Sequence, residues 1–161
     1  MDGALVLSGG ALAAAPRAAV GGKAANLAAM AAASFPVPPF FVVTSAALGE
    51  HLAANRIRWP DLGDLRRVAA ARKRIRTCAV PDAVAREVTA AYRRLAPGGT
   101  GPAAVAVRSS AAAEDGAEAS FAGQFSSILN VVGDEAVLDF LRECWASALS
   151  ERSVAYRAAL P

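Results

Sequence analysis

Apolar residues in this chain fall into short runs separated by glycine and proline, with helical periodicity between them. Leu5 to Leu7 reads as a strand or extended arm ahead of a Gly9-Gly10 turn. Ala24 to Met30 is rich in strong helix formers and predicts a helix beginning just after Gly21-Gly22, with Leu27 and Met30 sharing its buried face. Pro36, Pro38 and Pro39 end it. Phe40 to Val43 is a β-prone run, and the Thr44-Ser45 pair that follows supplies a hydroxyl to cap the next helix. From Ala46 to Leu95 the pattern is helical, broken near Trp59-Pro60 and Pro81-Asp82, where Asp61 and Asp82 place negative charge at helix starts.

Residues 97–102 form a glycine- and proline-rich loop, after which Val105 to Val107 predicts a strand ending at Arg108-Ser109-Ser110. Ala111 to Gln124 lacks either period and reads as an ordered loop. Ile128 to Val132 is a further strand, and Asp134 is placed to cap a helix carrying Val137, Leu138, Leu141 and Trp145 at helical spacing. A last helix runs from about Ser150 to Leu160. The fold class is α/β in the α+β sense, with a small sheet, several helices and no internal repeat.

Composition narrows the function classes. Of 161 residues 55% are hydrophobic, but 42 are alanine, so the larger hydrophobes suffice for one modest core. The net charge is +3, and the basic residues collect mostly between Arg56 and Arg94. Arg66, Arg67, Arg72, Lys73, Arg74 and Arg76 have no interleaved aromatics, which indicates a solvated helix face and argues against nucleic acid as a partner. Cys78 and Cys144 lie far apart without metal-ligand spacing. No apolar run approaches the ~20 residues that span a bilayer, and Asp2 with Gly9-Gly10 departs from a secretory leader, so a cytoplasmic protein with no membrane partner is expected.

Two places combine glycine or a strand end with positive charge. Gly21-Gly22-Lys23 opens a helix, where close backbone approach, outward amides and an ammonium together suit a phosphate. It is not a Walker A loop, since Ala24 stands where that motif has Ser or Thr. Taken alone, Gly-Gly-Lys reads better as a plain turn. Arg108 lies at the C-terminal end of a strand, where its guanidinium can fork onto phosphate oxygens or pair with Glu114 or Asp115. His51, in LGEHLAAN, is expected on a helix surface with an ordinary structural role.

Longer motifs bind these two places together. VGGKAANLAAM, FPVPPFFVVTSAAL, VAVRSSAAAEDGAEASFAGQFSSILNV and CWASALSERSVAYR resemble, in order and from Val20 to about Arg157, the N-terminal ATP-binding domain of the phosphoenolpyruvate synthase family. Its relatives include pyruvate phosphate dikinase, glucan water dikinases and rifamycin phosphotransferase. The ASFAGQ segment is similar to the synthase and rifamycin phosphotransferase branch, because the dikinase carries a Met-containing loop there.

The resemblance implies the first subdomain of an ATP-grasp-like fold. It implies that Lys23 and Arg108 hold ATP phosphates, that Gly123 contacts them through its backbone, and that Ser127 stands for the usual Thr near the nucleotide. Gly21 and Gly22 support this through their main chain; Glu114 and Asp115 match the motif without an assigned role. Ala24, Phe40 and Ala112 depart from the usual Gly, Gly and Thr, and Ala24 is expected to stiffen the helix start. Adenine, ribose and Mg²⁺ are held in this family by a second subdomain, with no counterpart to its carboxylates or to the phosphohistidine and pyruvate domains within 1–161. Glu135, Asp139 and Glu143, beside Arg142, read as a solvated helix face and not as metal ligands.

Two functions follow as expectations. One is the phosphate side of an ATP-dependent phosphotransferase, incomplete alone and completed by a second polypeptide, with Mg²⁺ bound only in the completed site. The other is a non-catalytic binding module keeping the fold, or part of a rifamycin phosphotransferase-like enzyme.

Overall fold

The computed structural model describes residues 3–96, 101–109 and 127–158. β1 (Val6–Ser8) leads into two single-turn helices, α1 (Gly10–Ala13) and α2 (Arg17–Val20), then α3 (Gly22–Ala32). β2 (Phe41–Val43) precedes α4 (Ser45–Ala54), α5 (Leu65–Thr77) and α6 (Asp82–Arg93). β3 (Val105–Arg108) and β4 (Ser127–Val131) are followed by α7 (Asp134–Ser147) and α8 (Glu151–Ala158). Among the described residues the strands form two antiparallel pairs, β1 with β2 and β3 with β4, so the architecture is α+β.

The larger helices follow their apolar spacing. α5 buries Val68, Ala71 and Ile75; α6 buries Val84, Val88, Ala91 and Tyr92; α7 buries Val137, Leu141, Cys144 and Trp145. Each set is one stripe at the three- and four-residue intervals of a helix face. These stripes meet Ala47 of α4, Val131 of β4 and Leu149 in the main core. A second cluster, Leu12, Val20, Ala24 and Ala28, joins α1, α2 and α3 and is flanked by Leu7, Phe40 and Val42. The small core that 42 alanines imply is thus divided in two.

Tyr92 knits α6 to the strand pair. Its hydroxyl donates to the Ala103 carbonyl at 2.6 Å and accepts from the Gly133 amide at 2.8 Å, at the entrances to β3 and α7 respectively. β4 accommodates one extra residue between its partners Ile128↔Val107 and Val131↔Val105. Asn130, at φ +58°, takes up that bulge in the left-handed region Asn tolerates better than most residues.

Several local expectations are corrected. The single-turn helices α1 and α2 were not predicted, and α3 starts at Gly22 itself, with Gly21 as its N-cap. Met30 is 45% exposed, because α3 packs through Ala24 and Ala28. The Thr44 hydroxyl does not cap α4; it donates to the Ala4 carbonyl at 2.6 Å, tying the start of α4 to the arm before β1. Asp64, and not Asp61, caps α5 by accepting from the Arg67 amide at 3.1 Å. Gly133 is the N-cap of α7, while Asp134 sits in its first turn and pairs with Arg93. His51 is fully buried, its imidazole 5.0 Å from the Trp145 ring, where a surface position was expected.

Candidate functional site

β3 is the scaffold. Val105 and Val107 turn toward the core and Ala106 and Arg108 outward, so alternation alone brings the guanidinium to the exposed face at the strand's C-terminal end. Directly across the ladder Arg108 is paired with Ser127, the first residue of β4. Residues opposite one another in an antiparallel pair project from the same face, so Arg108 and the Ser127 hydroxyl share it, and both are exposed.

Lys23 arrives from a different part of the chain. It is the second residue of α3, and its Nζ donates to the Ser109 carbonyl at 3.4 Å, one residue beyond Arg108 and 86 residues away in sequence. The turn before it depends on Gly21, whose φ of 76° and ψ of 164° lie in a region essentially reserved for glycine. Gly21 and Gly22 are both buried, while Lys23 stands out in solvent. A helix start leaves its first amides unused by the helix itself and carries a partial positive charge. The Lys23 ammonium is therefore brought to the end of the strand pair that carries Arg108 and Ser127 on one face.

Three of the four side-chain or loop positions expected at the nucleotide, Lys23, Arg108 and Ser127, are brought together, with Gly21 and Gly22 beneath Lys23. Gly123, Glu114, Asp115 and Ala112 lie outside the described residues. The Ser109 carbonyl is the contact that sequence reasoning missed, since a main-chain acceptor has no residue-type signal. Two departures from the family pattern gain a physical reason: Ala24 is buried within the small α1–α3 cluster and Phe40 packs against it, so both added side chains fill apolar space there.

Replacing Gly21 by alanine is expected to cost about 1–3 kcal/mol, because a Cβ must be carried through this backbone region. It should also weaken anion binding by turning Lys23 away from Ser109. Urea unfolding and a phosphate titration of the same variant would check both effects.

The acidic face of α7 has other partners. Glu143 holds Arg76 at 2.7 Å and Asp139 holds Arg142. Among the described residues no three His, Cys, Asp or Glu side chains come together in a way that could hold a metal ion. The basic face of α5 is likewise occupied in part: Arg74 donates to the Asn55 and Arg56 carbonyls, and Arg67 pairs with Asp64. Among the described residues no helix is long and apolar enough to cross a membrane.

Cations at a strand end beside a glycine turn are an arrangement that phosphate-handling domains use. Residues 17–160 match the family described as "Pyruvate phosphate dikinase, AMP/ATP-binding domain", and the chain belongs to that family, whose fold is ATP-grasp-like. A probable phosphoenolpyruvate synthase of Methanothermobacter thermautotrophicus is 40% identical over 150 residues, covering 85% of this chain and 22% of the relative. A phosphoenolpyruvate synthase of Aeropyrum pernix is 39% identical over 159 residues, covering 88% of this chain and 19% of its own length. A rifampicin phosphotransferase of a Streptomyces species is 39% identical over 170 residues, covering 98% of this chain and 19% of the relative. The chain spans about a fifth of the length of these relatives.

Proposed function

We propose that this chain is the phosphate-binding side of the ATP site of a phosphoenolpyruvate synthase-like phosphotransferase. The observation that carries the reading is the meeting of Lys23 with the Ser109 carbonyl, beside Arg108 and its cross-strand neighbour Ser127. A point charge and a planar fork are complementary means of holding phosphate oxygens. When ATP binds, Lys23 and Arg108 neutralise its polyphosphate, Ser127 offers a hydroxyl nearby, and Gly123 contributes main chain. Adenine, ribose and Mg²⁺ are held by a second subdomain, in the same polypeptide or in a partner. Mg²⁺ would supply charge neutralisation during phosphoryl transfer. Pyruvate, an antibiotic hydroxyl or a glucan remain alternative acceptors, selected by further domains. A cytoplasmic location accords with the use of ATP.

The division of labour makes a distinctive prediction. If residues 1–161 hold only phosphates, inorganic tripolyphosphate and ATP should bind the isolated chain with affinities within about threefold, as groups on adenine and ribose add little of the ~1.4 kcal/mol that each tenfold in affinity requires. Calorimetry at low ionic strength measures both. An ATP affinity tenfold or more above that for tripolyphosphate would place the nucleoside on this chain and overturn the assignment.

The departures Ala24, Phe40 and Ala112 from the family pattern favour one further reading, a binding module that keeps the fold without catalysis. Adding the second subdomain, Mg²⁺ and a phosphoryl acceptor separates the two: phosphate transfer that depends on Lys23 supports the enzyme, and ATP binding without transfer supports the module.

A further inference from the structure

The single histidine lies in the core against Trp145 and away from the phosphate site, and its hydrogen-bond partners fix its tautomer. Asn55, the C-cap of α4, donates through Nδ2 to the His51 carbonyl at 2.9 Å and to the Ala79 carbonyl at 3.1 Å. Those two acceptors use both amide hydrogens and fix the amide with its nitrogen, and not its oxygen, toward the imidazole. His51 Nδ1 lies 3.3 Å from that nitrogen, facing an NH₂ that can only share a hydrogen with it, so Nδ1 carries no proton of its own. The ring proton is left on Nε2, which donates to the Ile75 carbonyl of α5 at 3.2 Å. Nε2 of a neutral ring has a full partner, Nδ1 faces a donor group and not an acceptor, and the ring is fully buried.

We infer that His51, Asn55 and the Ala79 carbonyl form a proton-sensitive latch, closed by neutral histidine and opened by imidazolium, that fastens the C-terminal end of α4 to the link between α5 and α6. A proton on Nδ1 would point an N–H at an amide NH₂. Rotating the Asn55 amide to receive it would turn its oxygen onto two carbonyl oxygens and sacrifice both hydrogen bonds. Either route detaches α4 from residues 78–81, because the neighbouring restraints belong to other side chains: Arg74 holds the Asn55 and Arg56 carbonyls, and Arg142 holds the Cys78 carbonyl at 3.2 Å.

The charges around the latch disfavour imidazolium. α7 presents the Arg142 guanidinium, paired with Asp139, while its Glu143 is engaged by Arg76 and its Cys144 thiol is pushed up to about 11 by burial. α5 brings Arg74 to the same corner and meets the ring itself with a carbonyl. α6, which also packs on α4, turns Val84, Val88, Ala91 and Tyr92 inward, with the Tyr92 hydroxyl held by Ala103 and Gly133. Burial first, and Arg142 in addition, lower the His51 pKa below its ordinary 6.5 against the opposing pull of the Ile75 carbonyl. The folded state therefore binds fewer protons than the unfolded chain once pH falls below about 6.5. Stability contributed by the latch is complete above that value and is lost as pH descends toward the folded-state pKa, by up to about tenfold in the folding equilibrium per pH unit for one proton.

Because the chain holds one histidine, nitrogen-15 NMR of the full chain reads the ring without ambiguity. The expected result is an Nε2–H tautomer at pH 7.5 and protonation below the ordinary range. Exchange protection at the Asn55, Arg56 and Ile57 amides should fall with the same midpoint, after correction for intrinsic exchange. An Nδ1–H tautomer, protonation at or above the ordinary value, or unchanged protection would overturn the latch. His51→Gln keeps a donor toward Ile75 and an acceptor toward Asn55 without titrating, so its stability should be flat between pH 7 and 5; persistence of the acid loss would also overturn the inference. Should that variant fail to fold, Asn55→Asp supplies the second test, since a carboxylate facing Nδ1 should raise the ring's protonation midpoint, and a lowered or unchanged midpoint counts against the latch.

Discussion

Lys23→Ala is expected to weaken binding of ATP or inorganic tripolyphosphate to this chain by about tenfold, Arg108→Ala to do the same, and the double variant to lose measurable binding at millimolar ligand. A hydrogen bond to a charged group contributes about 1.5–3 kcal/mol, and each 1.4 kcal/mol is tenfold in affinity; the exposure of both side chains keeps the expectation at the lower end. If the two cations hold the same polyphosphate, their effects should couple in a double-mutant cycle and not merely add. Raising salt should compress the difference between wild type and variants, because exposed charges are screened within about 10 Å at 0.1 M ionic strength. Urea midpoints should stay within a few tenths of a kcal/mol of wild type, since neither side chain is part of the core. Arg108→Lys separates charge from shape: partial recovery is expected, because an ammonium keeps the attraction and loses the fork. Unchanged tripolyphosphate affinity in the double variant would remove both residues from the site.

The parts of this site differ in how far the chain's own pattern reveals them. Arg108 is legible from alternation in a four-residue strand, and Gly21-Gly22-Lys23 from its composition at a helix start. Their meeting is not, because it spans 86 residues and is made on a main-chain carbonyl. The long helices α5, α6 and α7 follow from periodicity, whereas the single turns α1 and α2 are too short for any period to register. Met30 was misjudged because α3 packs by its alanines; in a chain with 42 of them, the larger residue is not a safe guide to the buried face. Thr44 and Asp134 carry the residue types of caps but are claimed by tertiary partners, the Ala4 carbonyl and Arg93. His51 was misjudged for a related reason: its polarity suggests solvent, while the Ile75 carbonyl and Asn55 make burial affordable.

That burial makes Trp145 the side chain whose loss should cost the fold most. Trp145→Ala is expected to destabilise the chain by about 3–5 kcal/mol, the range for deleting a large aromatic from a core. Domains of this size have about 5–15 kcal/mol in total, so the variant stands near unfolding at 37 °C. Two losses combine: the indole fills the junction of α7 with the main core, and it is the ring against which His51 lies at 5.0 Å. Removing it admits water to the imidazole, so the His51 pKa should rise back toward 6.5 and the acid sensitivity of the remaining fold should diminish. Trp145→Phe keeps an aromatic neighbour and should retain more than half of the lost stability. The measurement is urea unfolding followed by circular dichroism at pH 7 and pH 5.5. The only other tryptophan, Trp59, is 41% exposed, so Trp59→Phe leaves Trp145 fluorescence as a direct report on the core in the otherwise native chain. A Trp145→Ala cost below 1 kcal/mol with an unchanged slope would mean that α7 is held by Val137 and Leu141 alone, and that the indole serves neither the core nor the histidine.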